Sequence, residues 1–255
     1  MKWMKFLLAG FFIFSLASCF DIDEEIDINK NGSGTWQMHV DMSQLVDLMQ
    51  SYVSKEDMEK QFPQKKMDTT IFMKDLTDTS KSIPAEKRAL MRDGKIHLVV
   101  NIDEKVLKTE MEFPFKQLGD IEELHSLIGS NSAGTGQLFK GFSGKSEGQD
   151  TSQLPDLSMF SSLYNFKISD GMISSKLNRI KWDSLQKNPQ FAQIKEAGNT
   201  GIDVPYSMTI KLPRPAKSVD NQMAKLSDDK MTVIIKYNML EMYSDPKKFE
   251  YTVEY

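Results

Sequence analysis

Apolar residues fall on every second position through much of this chain. Ile22, Glu24, Ile26 and Ile28 share one parity. After Asn29-Lys30-Asn31-Gly32-Ser33-Gly34, Trp36, Met38, Val40 and Met42 again stand at every second position, with Thr35, Gln37, His39 and Asp41 on the other parity. Such alternation marks a strand with one buried and one wet face, so the first fifty residues predict a β-hairpin. Asp41-Met42-Ser43 then offers cap residues before Leu45, Val46, Leu48, Met49, Tyr52 and Val53, whose spacing of three and four predicts an amphipathic helix.

The pattern weakens over 54–82, where only helical turns around Ile71 to Leu76 are predicted. Pro84 opens a short helix that Gly94 closes. Ile96, Leu98, Val100 and Ile102 alternate next, and Asp103-Glu104-Lys105 turns the chain into Val106–Phe115, a second hairpin. Ile121, Leu124, Leu127 and Ile128 mark a helix ending at Gly129. A Gly/Ser-rich loop covers about 129–156, with Gly129, Gly134, Gly136, Gly141, Gly144 and Gly148 and few large apolar groups. Strands resume at Tyr164–Ile168 and from Met172 to Ile180, followed by a polar helix from about Asp183 to Ala197. Tyr206–Leu212, Met231–Tyr237 and Lys248–Tyr255 alternate most cleanly, the last up to the final residue. The fold predicted is α+β: an antiparallel β-sheet built from hairpins with helices packed on one face, the aromatic side chains of the last strand lying under the helices.

The first nineteen residues do not belong to that body. Lys2 and Lys5 precede an unbroken apolar run from Phe6 to Phe14 and a small-residue exit, the pattern of a secretory signal. The run is shorter than the roughly 20 apolar residues of a membrane-spanning helix. The exit Leu16-Ala17-Ser18-Cys19 resembles the lipobox of bacterial lipoproteins. That resemblance implies cleavage between Ser18 and Cys19, diacylation of the Cys19 thiol, and two parts: a signal peptide, 1–18, and a single envelope domain, 19–255. Two or three acyl chains hold a protein stably where one binds reversibly. Cys19 is the chain's one cysteine, so once lipidated it leaves no thiol for a disulfide, a metal site or a nucleophile. Directly behind it stand Asp21, Asp23, Glu24 and Glu25. That cluster is similar to the surface-export signal of Bacteroidota lipoproteins, and equally compatible with an acidic, solvated first strand.

Charge and motifs narrow the chemistry. With 32 basic and 36 acidic residues the chain carries a formal charge of −4, and loss of Lys2 and Lys5 with the signal makes it −6, which argues against nucleic acid as a partner. His39, His97 and His125 share no metal-ligand spacing, and HExxH, GxSxG, the P-loop and the dinucleotide fingerprint are missing. No catalytic residue, metal or cofactor is assigned. A carboxylate pair meeting only in space stays open. Asp27-x-Asn29-x-Asn31-Gly32 copies the first half of an EF-hand loop, but position twelve is Met38 and the flanks alternate as strands, so a hairpin turn is expected. The 17 methionines suit an irregular apolar ligand cavity and an ordinary core alike.

The lipobox, the Asn31-Gly32-Ser33-Gly34 turn, the Gly/Ser-rich middle, Leu212-Pro213-Arg214-Pro215-Ala216-Lys217-Ser218-Val219 and Asp228-Asp229-Lys230-Met231-Thr232-Val233 together resemble uncharacterised Bacteroidota lipoproteins. More distantly, the two hairpin regions resemble the LppM family of bacterial lipoproteins. That resemblance implies an α/β envelope domain that binds lipids or glycolipids, with no catalytic residues to carry over. The expected function is that of a non-enzymatic envelope protein, lipid-anchored at the outer membrane on either face, which binds an amphipathic ligand or an envelope partner. Two alternatives stay open: an envelope hydrolase with an unrecognised site, and a structural or adhesive surface protein.

Overall fold

The computed structural model describes residues 21–52, 54, 66–78, 85–128, 163–188, 191–192, 195 and 203–255. Cys19 and Ser18, the Gly/Ser-rich loop and part of the helix expected up to Ala197 (189–190, 193–194 and 196–197) lie outside these residues. In chain order the elements are β1 (Asp21–Ile28), β2 (Gly34–Asp41), α1 (Ser43–Tyr52), β3 (Lys66–Phe72), α2 (Met73–Thr77), α3 (Ala85–Met91), β4 (Lys95–Asn101), β5 (Val106–Phe115) and α4 (Leu118–Ile128). They continue with β6 (Tyr164–Ser169), β7 (Met172–Leu177), α5 (Arg179–Leu185), β8 (Pro205–Lys211), β9 (Ser218–Val219), β10 (Ala224–Leu226), β11 (Thr232–Asn238) and β12 (Tyr251–Glu254).

The fold is α+β with two sheets. One is eight-stranded in the order β10-β11-β8-β1-β2-β5-β4-β3, and the other is four-stranded in the order β6-β7-β12-β9. The expectation of a purely antiparallel sheet is corrected: β1 pairs with β8 in parallel, Ile22 opposite Tyr206 and Ile26 opposite Ile210. Alternation reports which face a residue takes but carries no strand direction, and these partners stand far apart in the chain. The large sheet is therefore mixed.

The β1–β2 turn shows why these residues form a hairpin. Asn29 N–H donates to the Ser33 carbonyl at 2.8 Å, Gly32 takes a φ of +82°, and Ser33 N–H donates to Asn31 Oδ1 at 3.1 Å. A positive φ carries little cost for glycine, and a short amide side chain bonding two residues ahead closes an Asx turn. The oxygen-bearing residues of the half calcium motif thus serve one another.

Among the described residues one face of the large sheet is covered, and helices are not its whole cover. Ile121, Leu124 and Leu127 of α4 share a core with Ile26, Trp36, Met111 and Phe113 of the large sheet and with Phe166, Ile173, Tyr251, Val253 and Tyr255 from the smaller sheet and its end. The aromatic residues of the last strand meet the opposite sheet: Tyr251 Oη donates to Met208 Sδ at 3.0 Å, and Phe249 packs against the Tyr237 ring at 4.6 Å. Phe249 itself sits in a 3-10 turn, Pro246–Phe249. β12 is flanked on both sides, by β7 and by β9.

Two local expectations change as well. Lys66–Phe72 is a strand at the edge of the large sheet. It alternates between exposed and half-buried positions, and this shallow contrast is why its pattern reads so weakly. β7 ends at Leu177, because Asn178 caps a helix: its side chain accepts from Lys181 N–H at 3.1 Å.

A second core cluster joins Ile22, Val40, Met42, Val46, Leu98 and Leu107 to Trp182, Leu185, Val204, Met239, Tyr243 and Phe249. It lies at the end of the molecule where β1 begins. Glu24 stands on the buried face between Ile22 of this cluster and Ile26 of the other.

Candidate functional site

Among the described residues three places gather side chains that could carry chemistry. The first surrounds Glu24, which is 2% exposed. β1 fixes it on the covered face, in register with Met38 of β2 and Met208 of β8. Trp36 Nε1 donates to Glu24 Oε1 at 2.7 Å, and the Tyr206 hydroxyl donates to Glu24 Oε2. His125 Nε2, brought in by α4, stands 3.6 Å from Oε1, and its ring stacks on Phe166 at 4.9 Å. Tyr206 stacks in turn on Tyr237 at 4.8 Å. Burial, with Glu24 beside it, pushes the Tyr206 phenol well above its ordinary value; burial does the same to Tyr237 and Tyr251. These phenols keep their protons, so Tyr206 remains a donor. Both Glu24 oxygens are engaged, as a buried carboxyl requires, and the arrangement is a closed polar joint between the two clusters.

The second place is the open face of the large sheet. Register sets Asp23 opposite His39, His39 opposite Glu110 and Glu110 opposite His97. His39 Nδ1 lies 3.5 Å from Glu110 Oε1 and His97 Nδ1 lies 3.7 Å from Oε2. His97 Nε2 meets Asp68 Oδ1 at 2.8 Å. The hydrogen bond to Asp68, with the negative charges of Asp68 and Glu110, raises the His97 pKa. Imidazoles and carboxylates thus alternate across β1, β2, β5, β4 and β3. Among the described residues no group of three or more His, Cys, Asp or Glu has the geometry to hold a metal ion.

The third is a groove of about 390 Å³ beside α2 and α3, where Arg88, Arg92 and Lys116 stand with Asp78 and Asp93. Arg92 pairs with Asp78 at 3.2 Å and Lys116 approaches Asp93 at 4.0 Å. Its charge is largely matched from within.

Of the residues expected to carry function, Ser18 and Cys19 lie outside the described residues. Asp21, Asp23, Glu24 and Glu25 are all in β1, the first two exposed and Glu24 buried. Glu25 points to the other face, where Lys211 Nζ pairs with it at 2.6 Å. The four carboxylates therefore form no single patch, and a test of export has to leave Glu24 in place. Nothing in the sequence marks Trp36, Tyr206 and His125 as partners of Glu24. The signal that it does carry is the parity of Glu24, shared with Ile22, Ile26 and Ile28.

No family model and no curated protein matches the chain. Among solved structures, the NMR structure of the folded domain of Mycobacterium tuberculosis LppM aligns over 93% of this chain and 90% of its own, at 6% identity and a TM-score of 0.34. A score that low transfers neither fold nor function. No helix among the described residues is long and apolar enough to cross a membrane.

Proposed function

We propose that the chain is a lipid-anchored protein of a bacterial cell envelope, tied to the outer membrane through acylated Cys19 and acting by binding rather than by catalysis. The observation that carries this reading is the junction of the lipobox with the fold. Cys19 precedes β1 by two residues, and β1 is an interior strand of the large sheet. An extended chain advances at most about 3.6 Å per residue, so the anchor holds the start of β1 within about 7 Å of its own backbone. The lipid is coupled to the core and not to a loose tail. The open, charged face of the large sheet is the surface offered to a neighbouring envelope component, because the covered face is filled by the two core clusters.

The test is metabolic labelling with a fatty-acid analogue. The parent chain incorporates label and fractionates with membranes, and Cys19→Ala does neither. Equal labelling of parent and variant overturns the anchoring. Protease shaving of whole cells then decides the face, and replacing Asp21, Asp23 and Glu25 while keeping Glu24 tests whether the acidic cluster directs export.

A further inference from the structure

Ile180 is 83% exposed, whereas the other exposed large apolar side chains among the described residues, Phe72, Leu76, Met172 and Leu226, lie between 40% and 49%. It sits in the first turn of α5, between Arg179 and Lys181, both exposed. The helix beneath is firmly mounted. Asn178 N–H donates to the Leu163 carbonyl at 2.8 Å, and Trp182 N–H donates to the Asn178 carbonyl at 2.9 Å. Trp182 and Leu185 are each 7% exposed, and Trp182 meets the Phe191 ring edge-on at 5.6 Å. Helical geometry turns a residue two positions before Trp182 to the opposite side, so Ile180 points away from the body.

The position of this tip is as informative as its chemistry. Trp182 and Leu185 share their core cluster with Ile22, the first inward residue of β1, and β7 runs into α5 from Leu177 of that same cluster while its Ile173 belongs to the other. α5 therefore caps the end of the molecule at which β1 begins. Ile22 is three residues past Cys19, about 11 Å at full extension.

We propose that Arg179-Ile180-Lys181 is a second membrane contact, in which Ile180 enters the headgroup boundary of an anionic bilayer and the two cations lie on lipid phosphates. The inference rests on the anchoring proposed above. One apolar side chain and two cations hold a free protein only weakly, but a lipid anchor converts their binding into an intramolecular step at high effective concentration. The tip then fixes which way the anchored body stands.

The experiment uses the mature lipidated protein reconstituted into vesicles. Cys19 is the chain's one cysteine and its thiol is acylated, so Ile180→Cys supplies a single reactive thiol for a polarity-sensitive fluorophore. Lys30→Cys, in the exposed turn at the far end of β1, serves as the control. Mass spectrometry first checks the lipid on Cys19. In vesicles containing phosphatidylglycerol, the probe at 180 shifts to the blue and is quenched by headgroup-level quenchers, while the probe at 30 stays water-like. Reversing both charges, Arg179→Glu with Lys181→Glu, lowers the docked-to-undocked ratio about 25-fold or more, since each cation near an anionic surface contributes roughly a fivefold factor. Absence of lipid on Cys19 overturns the anchoring and this contact together. Lipid on Cys19 with a water-like probe at 180 overturns the contact alone. A probe that shifts in native membranes but not in pure lipid assigns the tip to a protein partner and likewise overturns the lipid contact.

Discussion

Glu24 and Glu25 are neighbours of one residue type on one strand, and the two faces of the large sheet treat them in opposite ways. On the covered face Glu24 accepts hydrogen bonds from a tryptophan and a tyrosine and is shut off from water. On the open face Glu25 pairs with Lys211 at a half-exposed position. A buried carboxyl needs partners of fixed geometry because water cannot replace them. An exposed one is solvated with or without its lysine, so its pairing contributes little. Stability resides on one face of this sheet, and the other face is available for charge patterning at small energetic cost.

The largest expected effect comes from stripping the cover off the inner face. Tyr251 and Tyr255 are 5% and 0% exposed and Val253 is 0% exposed, and β12 holds β7 and β9 together. Loss of a buried aromatic side chain costs about 3–5 kcal/mol, against a total of roughly 5–15 kcal/mol for a domain. Deleting Tyr251–Tyr255 is expected to abolish cooperative unfolding, measured by circular dichroism on heating. A truncated protein that melts within a few degrees of the parent contradicts the assignment of this strand to the core.

Next in size is the comparison itself. Glu24→Ala leaves Trp36 Nε1–H and the Tyr206 hydroxyl without their acceptor, at about 1–3 kcal/mol for each orphaned donor, with a cavity besides. Glu25→Ala removes one exposed partner and is expected to cost about 0–1 kcal/mol. Glu24→Gln keeps one oxygen, and the Tyr206 hydroxyl can rotate to accept from the new amide, so its cost falls between the two. Chemical denaturation of the three variants gives the order. Equal losses for Glu24→Ala and Glu25→Ala dispose of the claim that the two faces differ.

Much of this contrast is legible in the sequence, for a reason that also marks its limit. Alternation reports the face of each residue, and by itself it places Glu24 with Ile22, Ile26 and Ile28. The same signal locates β2, β4, β5, β8 and β11. It is silent on what lies opposite. That Tyr206 pairs beside Ile22, that β1 and β8 run in parallel, and that a second sheet covers part of the first are facts of pairing between distant segments. Edge strand β3 reads poorly because Asp68, Thr69 and Thr70 sit where no deep core demands apolar residues. Ile180 misleads in the other direction: as an apolar, β-branched residue just past Leu177 it reads as more strand, yet Asn178 has already turned the chain into a helix and left it in solvent. The histidine row is illegible for a related reason, since His39, Glu110, His97 and Asp68 come from four strands and meet only through register.

That row supplies the smallest effect and the test of how cheap the open face is. His97 lies between Asp68 at 2.8 Å and Glu110 at 3.7 Å, and Glu110 is shared with His39 at 3.5 Å. The Asp68 hydrogen bond, with the nearby negative charges, raises the folded-state pKa above the ordinary imidazole value. A raised folded pKa means that the fold favours the protonated ring, so the stabilisation is complete below the ordinary imidazole pKa and fades as pH rises through the folded value. With His97 35% and Asp68 75% exposed at their side chains, solvent screens the pair, and its contribution is held under about 1 kcal/mol. The thermal midpoint of the parent is therefore expected to exceed that of His97→Gln by about 2–4 °C at most under mildly acidic conditions, and the gap closes under mildly alkaline ones. A gap that widens as pH rises reverses the sign of the linkage and shows that the neutral ring is the form the sheet face holds. A gap that stays constant with pH assigns the contribution of His97 to packing across β4 and β5, and the row then has no electrostatic role in stability.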